Sequence, residues 1–305
     1  MWRGFRIFGF PINKIHNVQE EEKTNRNKNK AGPAKEMSFW EHLEELRKRL
    51  FISALAWVSL SVLAFIERDI IFDKIILAPK DSNFITYRLL CKLGAWLHVD
   101  SLCMQSMSLK IINYNLSGQF MTHMTISMVA GLILAVPFIF YQVWQFIKPA
   151  LYEKERKYAS SAVYVMSGLF LLGITFSYFV MVPWTLNFLG TYQVSASVTN
   201  QIALESYIST VVSVVFSIGL VFELPVVVYV LAKLGIITPS FLRKNRKYAF
   251  VIVLIVAAII TPPDVFSQTI ATIPLWALYE ASIIVAARVA PKEDNKNNES
   301  ESDKD

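Results

Sequence analysis

Residues 211–232 read VVSVVFSIGLVFELPVVVYVLA, and this stretch decides the fold. Its 22 residues are close to the ~20 that cross a bilayer as a helix. It contains one charge, Glu223, with Pro225 two positions later. A carboxylate at that depth costs roughly 2.5–3.5 kcal/mol on insertion scales, and Pro225 removes the helical partner of the Val221 carbonyl. The acid is either protonated and simply packed or functional, and intramembrane acids are functional by default.

The composition indicates a polytopic membrane protein. The chain has 305 residues, is 54% hydrophobic and has a mean hydropathy of +0.40. Long apolar runs replace the core of a soluble domain in such chains. The sequence predicts an all-α fold with six transmembrane helices, at about 50–66, 121–147, 159–182, 208–232, 248–260 and 265–287.

The placement of basic residues predicts the orientation. Lys and Arg number eleven in residues 1–49, four in 148–157 and five in 233–247, whereas 183–207 and 261–264 contain none. Under the positive-inside rule, this alternation puts the N-terminus and the C-terminus in the cytoplasm. The six in the long loop 67–120 are thinly spread, and long loops translocate largely regardless of charge.

Both ends of the chain are expected to be disordered. Residues 1–36 form an extension that is too broken for a secretory signal and mostly polar, so Met37 is an alternative true start. Residues 37–287 form the six-helix domain, and 288–305 form a polar cytoplasmic tail. The domain begins with SFWEHLEELRKRL, in which Ser38 and Glu41 make a capping box. Its apolar residues recur at helical spacing, which predicts an amphipathic helix on the inner surface.

Two features mark the outer side. The loop 67–120 contains Cys91 and Cys103, and an oxidising compartment would allow a disulfide, with two reduced thiols as the alternative. The fifth span has only 13 residues and reaches about 20 Å, short of the ~30 Å hydrocarbon core. The turn after it must therefore lie inside the outer leaflet, or the bilayer must be thinner there. Asp264 is predicted to be the N-cap of the sixth helix.

The sequence contains no motif that indicates an enzyme. It has no Gly-rich phosphate loop, and its four histidines show no metal spacing. His42 and His123 are interpreted as hydrogen-bonded interface residues rather than ligands. We expect no metal, no cofactor and no nucleic-acid partner.

Four motifs together resemble a known family. They are HLEELRKRL at 42–50, YQVWQFIKPALY at 141–152 with Glu155 and Arg156, FELP at 222–225, and TPPDVFSQ at 261–268. From about Met37 to Ala287 the chain resembles the TatC family, the membrane receptor subunit of the twin-arginine protein translocase. The resemblance implies six tilted helices in a concave bundle in a bacterial-type inner membrane.

The resemblance also implies a function. It predicts a receptor that binds twin-arginine signal peptides of folded cargo and assembles in several copies with single-span subunits of the TatA and TatB type for gradient-driven export. Carried over by position, the signal-peptide site is Glu45, Glu155, Arg47 and Phe146. Glu223 and Gln268 would contact partner subunits, and Pro79 and Asp264, with Gln268, match positions at the outer turns. Glu44 beside Glu45 leaves open which acid reads the first arginine.

The chemistry of the site agrees with this assignment. Two guanidinium groups pair well with two carboxylates, and Lys would match the charge without the fork geometry. The alternative is a proton-coupled secondary transporter that uses Glu223 and Glu280. Such folds usually show matching halves, which these spans of unequal length do not. A structural assembly scaffold is a third hypothesis.

Overall fold

The computed structural model describes residues 39–81, 83–98, 103, 110–147, 159–195, 197, 200–261 and 264–289. The predicted extension and nearly all of the predicted tail lie outside this part of the chain. The chain divides into two units, residues 1–48 and residues 49–305. Of the first unit the structure describes only 39–48, which are helical, and Ser38 of the predicted capping box lies outside the described residues.

The described residues are mainly helical. The α-helices are α1 Phe39–Ile66, α2 Ile85–Leu97, α3 Gly118–Ile147, α4 Ala159–Phe176, α5 Val182–Thr191, α6 Leu204–Val221, α7 Leu224–Lys233, α8 Pro239–Lys244, α9 Arg246–Ile260 and α10 Val265–Val289. Two π-helical stretches, Asp69–Ile76 and Ser177–Met181, and a 3-10 turn, Ala78–Lys80, join some of them. Strands β1 Ile111–Ile112 and β2 Ile202–Ala203 pair in parallel.

Five helical stretches among the described residues are long and apolar enough to cross a membrane. They are Trp40–Ile66, Gly118–Ile147, Ala162–Thr191, Leu204–Lys233 and Ser267–Val289. Each overlaps one span predicted from hydropathy. The remaining predicted span corresponds to α9, whose 15 residues extend about 22 Å. The sequence therefore identifies this helix correctly as unusually short.

Helix α6 lies at the centre of the apolar core. Its buried residues follow helical spacing, and they are Leu204, Tyr207, Ile208, Val211, Val214, Val215 and Ile218. Lipid is as apolar as these side chains, so close packing rather than the hydrophobic effect associates helices here.

Small residues allow that close packing. A Cβ added to Gly173 of α4 would lie 2.8 Å from the Phe222 Cβ and 3.0 Å from the Gly219 Cα of α6. A Cβ added to Gly131 of α3 would lie 2.5 Å from the Ser61 Cα of α1. At these two crossings the backbones approach as only glycine permits.

The segment between α1 and α3 is tied to the helices beside it. The Tyr178 hydroxyl donates to the Ile75 carbonyl at 2.7 Å, and the Tyr207 hydroxyl donates to the Ile76 carbonyl at 2.8 Å. The sequence FITYRLLCKLGAWL at residues 84–97 predicts a short amphipathic helix on the outer surface, and the structure has α2 there. The structure joins Cys91 of α2 to Cys103 by a disulfide, which is the pairing that the sequence offered as one of two alternatives.

Candidate functional site

The helix that contains Glu223 is broken at that residue. Helix α6 ends at Val221 and α7 begins at Leu224, with Pro225 in its first turn, where a missing N–H costs nothing. The Glu223 N–H donates to the Leu220 carbonyl at 3.1 Å, as in a tight turn. Phe222 and Glu223 keep right-handed helical backbone angles, so the site is a short irregular turn between two helices that continue as one membrane-spanning stretch.

The carboxylate at this break is buried and has no direct partner in the described chain. Glu223 is 9% exposed, and neither side-chain oxygen accepts a hydrogen bond from a described residue. The backbone of Phe170 interacts electrostatically with it but does not meet hydrogen-bond geometry. An unsatisfied buried polar group costs about 1–3 kcal/mol, so this position is unfavourable for folding alone.

Aromatic side chains hold the turn in place. Phe222, immediately before the acid, packs on Phe176 with ring centroids 5.7 Å apart. Phe170 is fully buried and meets Phe140 edge to face at 6.2 Å. The carboxylate is thus fixed among apolar groups, where it can accept a hydrogen bond from a donor that another molecule supplies.

The structure describes three of the four residues of the predicted signal-peptide site. Glu45 and Arg47 lie on α1, where Glu45 is half-buried and Arg47 is exposed. Phe146 is half-buried near the C-terminal end of α3. Glu155 lies outside the described residues, so the pairing of two carboxylates stays a prediction.

Sequence reasoning missed one polar contact in the second unit. The Arg49 guanidinium donates to the Gln142 side-chain oxygen at 3.0 Å, and Gln142 is 6% exposed. Both residues lie in motifs that carry the family resemblance. The sequence contains one indication of this contact, namely that both residues belong to family motifs. The motifs do not show which of their residues contact each other.

The predicted outer-turn residues make specific contacts. Pro79 is buried, and its carbonyl accepts a 3.0 Å hydrogen bond from Tyr87, whose pKa burial raises to about 12. The Asp264 carboxylate accepts from the Ser267 N–H at 2.6 Å, which confirms it as the N-cap of the last helix. The Gln268 amide donates to the Leu254 carbonyl of α9 at 3.2 Å.

The remaining titratable candidates are satisfied within the protein. Glu280 forms an ion pair with Arg246 at 2.7 Å, unlike Glu223. His123 lies 3.1 Å from the Phe65 carbonyl and stacks on its ring at 4.0 Å, which confirms it as a hydrogen-bonded residue. No group of three or more His, Cys, Asp or Glu among the described residues has the proximity to hold a metal ion.

The spans and the buried acid define a polytopic helical membrane protein with a polar site inside its bundle. The model of the family "Sec-independent protein translocase protein (TatC)" matches residues 41–274, and the chain belongs to this family. Members are subunits of an inner-membrane protein translocase and not enzymes. The two expectations from the sequence, an inner-membrane location and a protein that is not an enzyme, therefore hold.

Individual relatives match nearly end to end. The Sec-independent protein translocase protein TatC of Blattabacterium sp. subsp. Periplaneta americana (strain BPLAN) is 40% identical over 259 residues, covering 84% of this chain and 97% of that protein. TatCy of Bacillus subtilis (strain 168) is 35% identical over 251 residues, covering 82% and 89%. A crystal structure of the twin-arginine translocase receptor TatC matches with a TM-score of 0.64 and 35% identity, covering 82% of this chain and 99% of that one.

Proposed function

We propose that this chain is the receptor that binds twin-arginine signal peptides of folded proteins. Its six spans, with α9 as the short fifth, would have both termini in the cytoplasm. The observation that supports this most directly is the 35% identity to a solved twin-arginine translocase receptor across 82% of the chain. That likeness extends over the length of a complete receptor chain rather than one motif.

Glu45 and Glu155 are the residues proposed to bind the two arginines of the signal peptide. A guanidinium forms two parallel hydrogen bonds with a carboxylate, so two arginines are matched by two acids. Each such charged hydrogen bond contributes about 1.5–3 kcal/mol when it is shielded from water. Arg47 and Phe146 would position the bound peptide beside these acids.

Glu223 is the proposed contact for single-span partner subunits in a multi-copy complex. Its oxygens are buried and accept no hydrogen bond from a described residue, so a partner helix with a polar side chain would satisfy them. Interhelical hydrogen bonds of this kind contribute about 1–2 kcal/mol or less. Gln268 is proposed as a second partner contact, and the membrane gradient as the energy source for export. The transporter alternative gains no support, because its second acid, Glu280, is paired with Arg246.

A binding experiment tests the receptor function. Membranes that contain the full chain would be titrated with a fluorescent twin-arginine signal peptide and with its twin-lysine version. We expect the twin-arginine peptide to bind and both the lysine peptide and the Glu45→Ala/Glu155→Ala variant to lose at least tenfold in affinity. Glu41→Ala, on the same helix, is the matched control and should bind normally. Equal binding of the two peptides would contradict the proposal, and loss in Glu44→Ala alone would mean that Glu44 binds the first arginine.

A further inference from the structure

Two cavities in the second unit are lined by the same two segments, the π-helical stretch Asp69–Ile76 and helix α3. One, the charged cavity, has a volume of about 690 Å³ and a mixed lining, in which charged residues that include Arg68, Asp73 and Lys80 stand among apolar ones. The other has a volume of about 300 Å³ and a lining that is almost wholly apolar. Both volumes suit the binding of a small amphiphilic molecule.

Helix α3 lines both cavities in sequence. Gln119 and His123, in its first turns, line the charged cavity. Ile126, Ala130 and Ile133, one to three turns further on, line the apolar one. The step from His123 to Ile126 is about 4.5 Å along the helix axis. His123, the second of the two polar residues that α3 contributes, is thus within one helical turn of the start of the apolar cavity, and Phe120 of the same helix also lines the charged one.

The π-helical stretch Asp69–Ile76 forms a shared wall. Its Asp69 and Asp73 line the charged cavity, and its Ile71 and Ile75 line the apolar cavity. The tyrosine hydrogen bonds to the carbonyls of Ile75 and Ile76 fix this wall against the neighbouring helices. The arrangement is therefore part of the packed fold and not a gap between loose segments.

The depth of the two cavities matches a lipid. The charged cavity lies where α1 ends at Ile66 and where α3 and α6 begin, at Gly118 and Leu204. These are the ends of membrane-spanning stretches, so this level is that of lipid headgroups. The apolar cavity extends from there towards the middle of the spans, which is the level of acyl chains.

The charges select the kind of headgroup. Arg68 and Lys80 are cationic, and Asp69 and Asp73 are anionic. Arg68 and Asp69 pair at 3.3 Å but are both strongly exposed, and exposed pairs are weak. An anionic headgroup would meet two carboxylates and a cationic one would meet two cations. A zwitterionic headgroup satisfies both signs.

We propose that the two cavities form one binding site for a zwitterionic phospholipid. Its phosphate contacts Arg68 and Lys80, its ammonium group contacts Asp69 and Asp73, and an acyl chain fills the apolar cavity beside Ala130. A headgroup with a primary ammonium fits best, because its N–H groups donate hydrogen bonds to the carboxylates. The site does not depend on the proposed receptor function, since Glu45 and Glu223 are not among the described residues that line either cavity.

Lipid retention by the purified full chain tests this proposal. The chain would be delipidated in detergent, incubated with phosphatidylethanolamine, and examined by native mass spectrometry for the number of lipids bound. We expect one lipid per chain at low concentration. Phosphatidylglycerol with the same chains should bind about tenfold more weakly, as should diacylglycerol, which lacks the headgroup. Glycerophosphoethanolamine, which lacks the chains, should not compete.

Matched variants locate the site. Lys80→Gln and Asp73→Asn should each weaken retention about tenfold, while Lys74→Gln, next to Asp73 and outside the cavity lining, should not. Ala130→Phe should abolish retention and Met128→Phe, on an exposed position of the same helix, should not. The two charge variants change exposed or half-buried side chains, so they should fold normally. The test therefore stays valid if Ala130→Phe fails to fold.

The proposal is overturned by equal binding of phosphatidylglycerol, by competition from the soluble headgroup, or by retention in the charge variants that equals that of Lys74→Gln. Retention lost in Ala130→Phe but kept in both charge variants would mean that the apolar cavity holds an acyl chain without headgroup recognition. That outcome would also reject the site as proposed.

Discussion

Arg49 donates a 3.0 Å hydrogen bond to the side-chain oxygen of Gln142, a residue 93 positions later in the chain. It connects α1 to α3 near the end of α3 that also carries Phe146. Gln142 is buried, so its amide would be unsatisfied without such a partner. The contact thus fixes the start of the second unit to one of the helices that carry the family motifs.

Gln142→Ala is expected to lower the free energy of unfolding by about 1.5–3 kcal/mol, because the bond it removes involves a charged donor. Thermal unfolding of the purified chain in detergent measures this change. Gln145→Ala is the matched control: Gln145 lies one turn away and donates to Tyr141 at an exposed site. Unfolding of Gln142→Ala at the wild-type temperature would show that the bond adds nothing to stability.

Glu223→Leu is expected to stabilise the isolated chain by about 1–3 kcal/mol, because it removes a buried carboxylate that has no hydrogen-bond partner among the described residues. The same variant is expected to lose co-purification of single-span partner subunits, whereas Glu223→Gln should keep part of it. The two readouts are the unfolding temperature and the amount of partner recovered per receptor. Glu205→Leu, at an exposed position in the first turn of α6, is the control. Wild-type recovery of partners with Glu223→Leu would contradict the proposed contact.

Gly173→Leu is expected to disrupt the packing of α4 against α6, because even a Cβ at this position would lie 2.8 Å from the Phe222 side chain. Overpacking of this kind typically costs about 1–3 kcal/mol, and more where backbone must move. The measurement is the yield of folded chain and its unfolding temperature. Gly168→Leu is on the same helix and its added Cβ would meet nothing within 4 Å, so it should behave as wild type. Equal effects of the two changes would mean that helix propensity, and not the crossing, decides the outcome.

Tyr87→Phe is expected to cost about 1 kcal/mol through loss of the hydrogen bond to Pro79. Because burial raises the pKa of Tyr87 to about 12, the unfolded chain ionises this residue first, near pH 10. The contribution of Tyr87 is therefore complete below pH 10 and declines as the pH rises towards 12. Denaturant unfolding at pH 8 and pH 11 should show a smaller difference between wild type and Tyr87→Phe at the higher pH. Tyr114→Phe, at an exposed position, should show no difference at either pH.

Hydropathy and capping rules predicted much of this fold. The long apolar runs, the helix of residues 85–97 and the N-cap at Asp264 follow from local patterns, because each depends on neighbours in sequence. The same rules identified Glu223 as exceptional. They did not predict the irregular turn around it, because Pro225 alone does not show that one helix ends at Val221 and the next begins at Leu224.

The remainder depends on contacts between distant parts of the chain. The family motifs contain both Gln142 and Arg49, but they do not show that the two residues meet. The two cavities arise where four segments meet, and no local pattern specifies such a meeting. The predicted signal-peptide site, in which Glu45 and Glu155 together bind two arginines, depends in the same way on tertiary structure, and Glu155 lies outside the described residues.

The short helix α9 has a consequence for the bilayer itself. The whole helix is about 22 Å long and has exposed apolar residues at Val251, Ile255 and Ile259, whereas the neighbouring spans suit a core of ~30 Å. With α9 as the proposed fifth span, lipids beside these residues would compress, at a cost of a fraction of a kcal/mol for each ångström of mismatch. That elastic energy would be released when another short helix replaced the compressed lipid. The length of α9 alone would therefore generate an attraction for short transmembrane helices, before any side chain makes a specific contact.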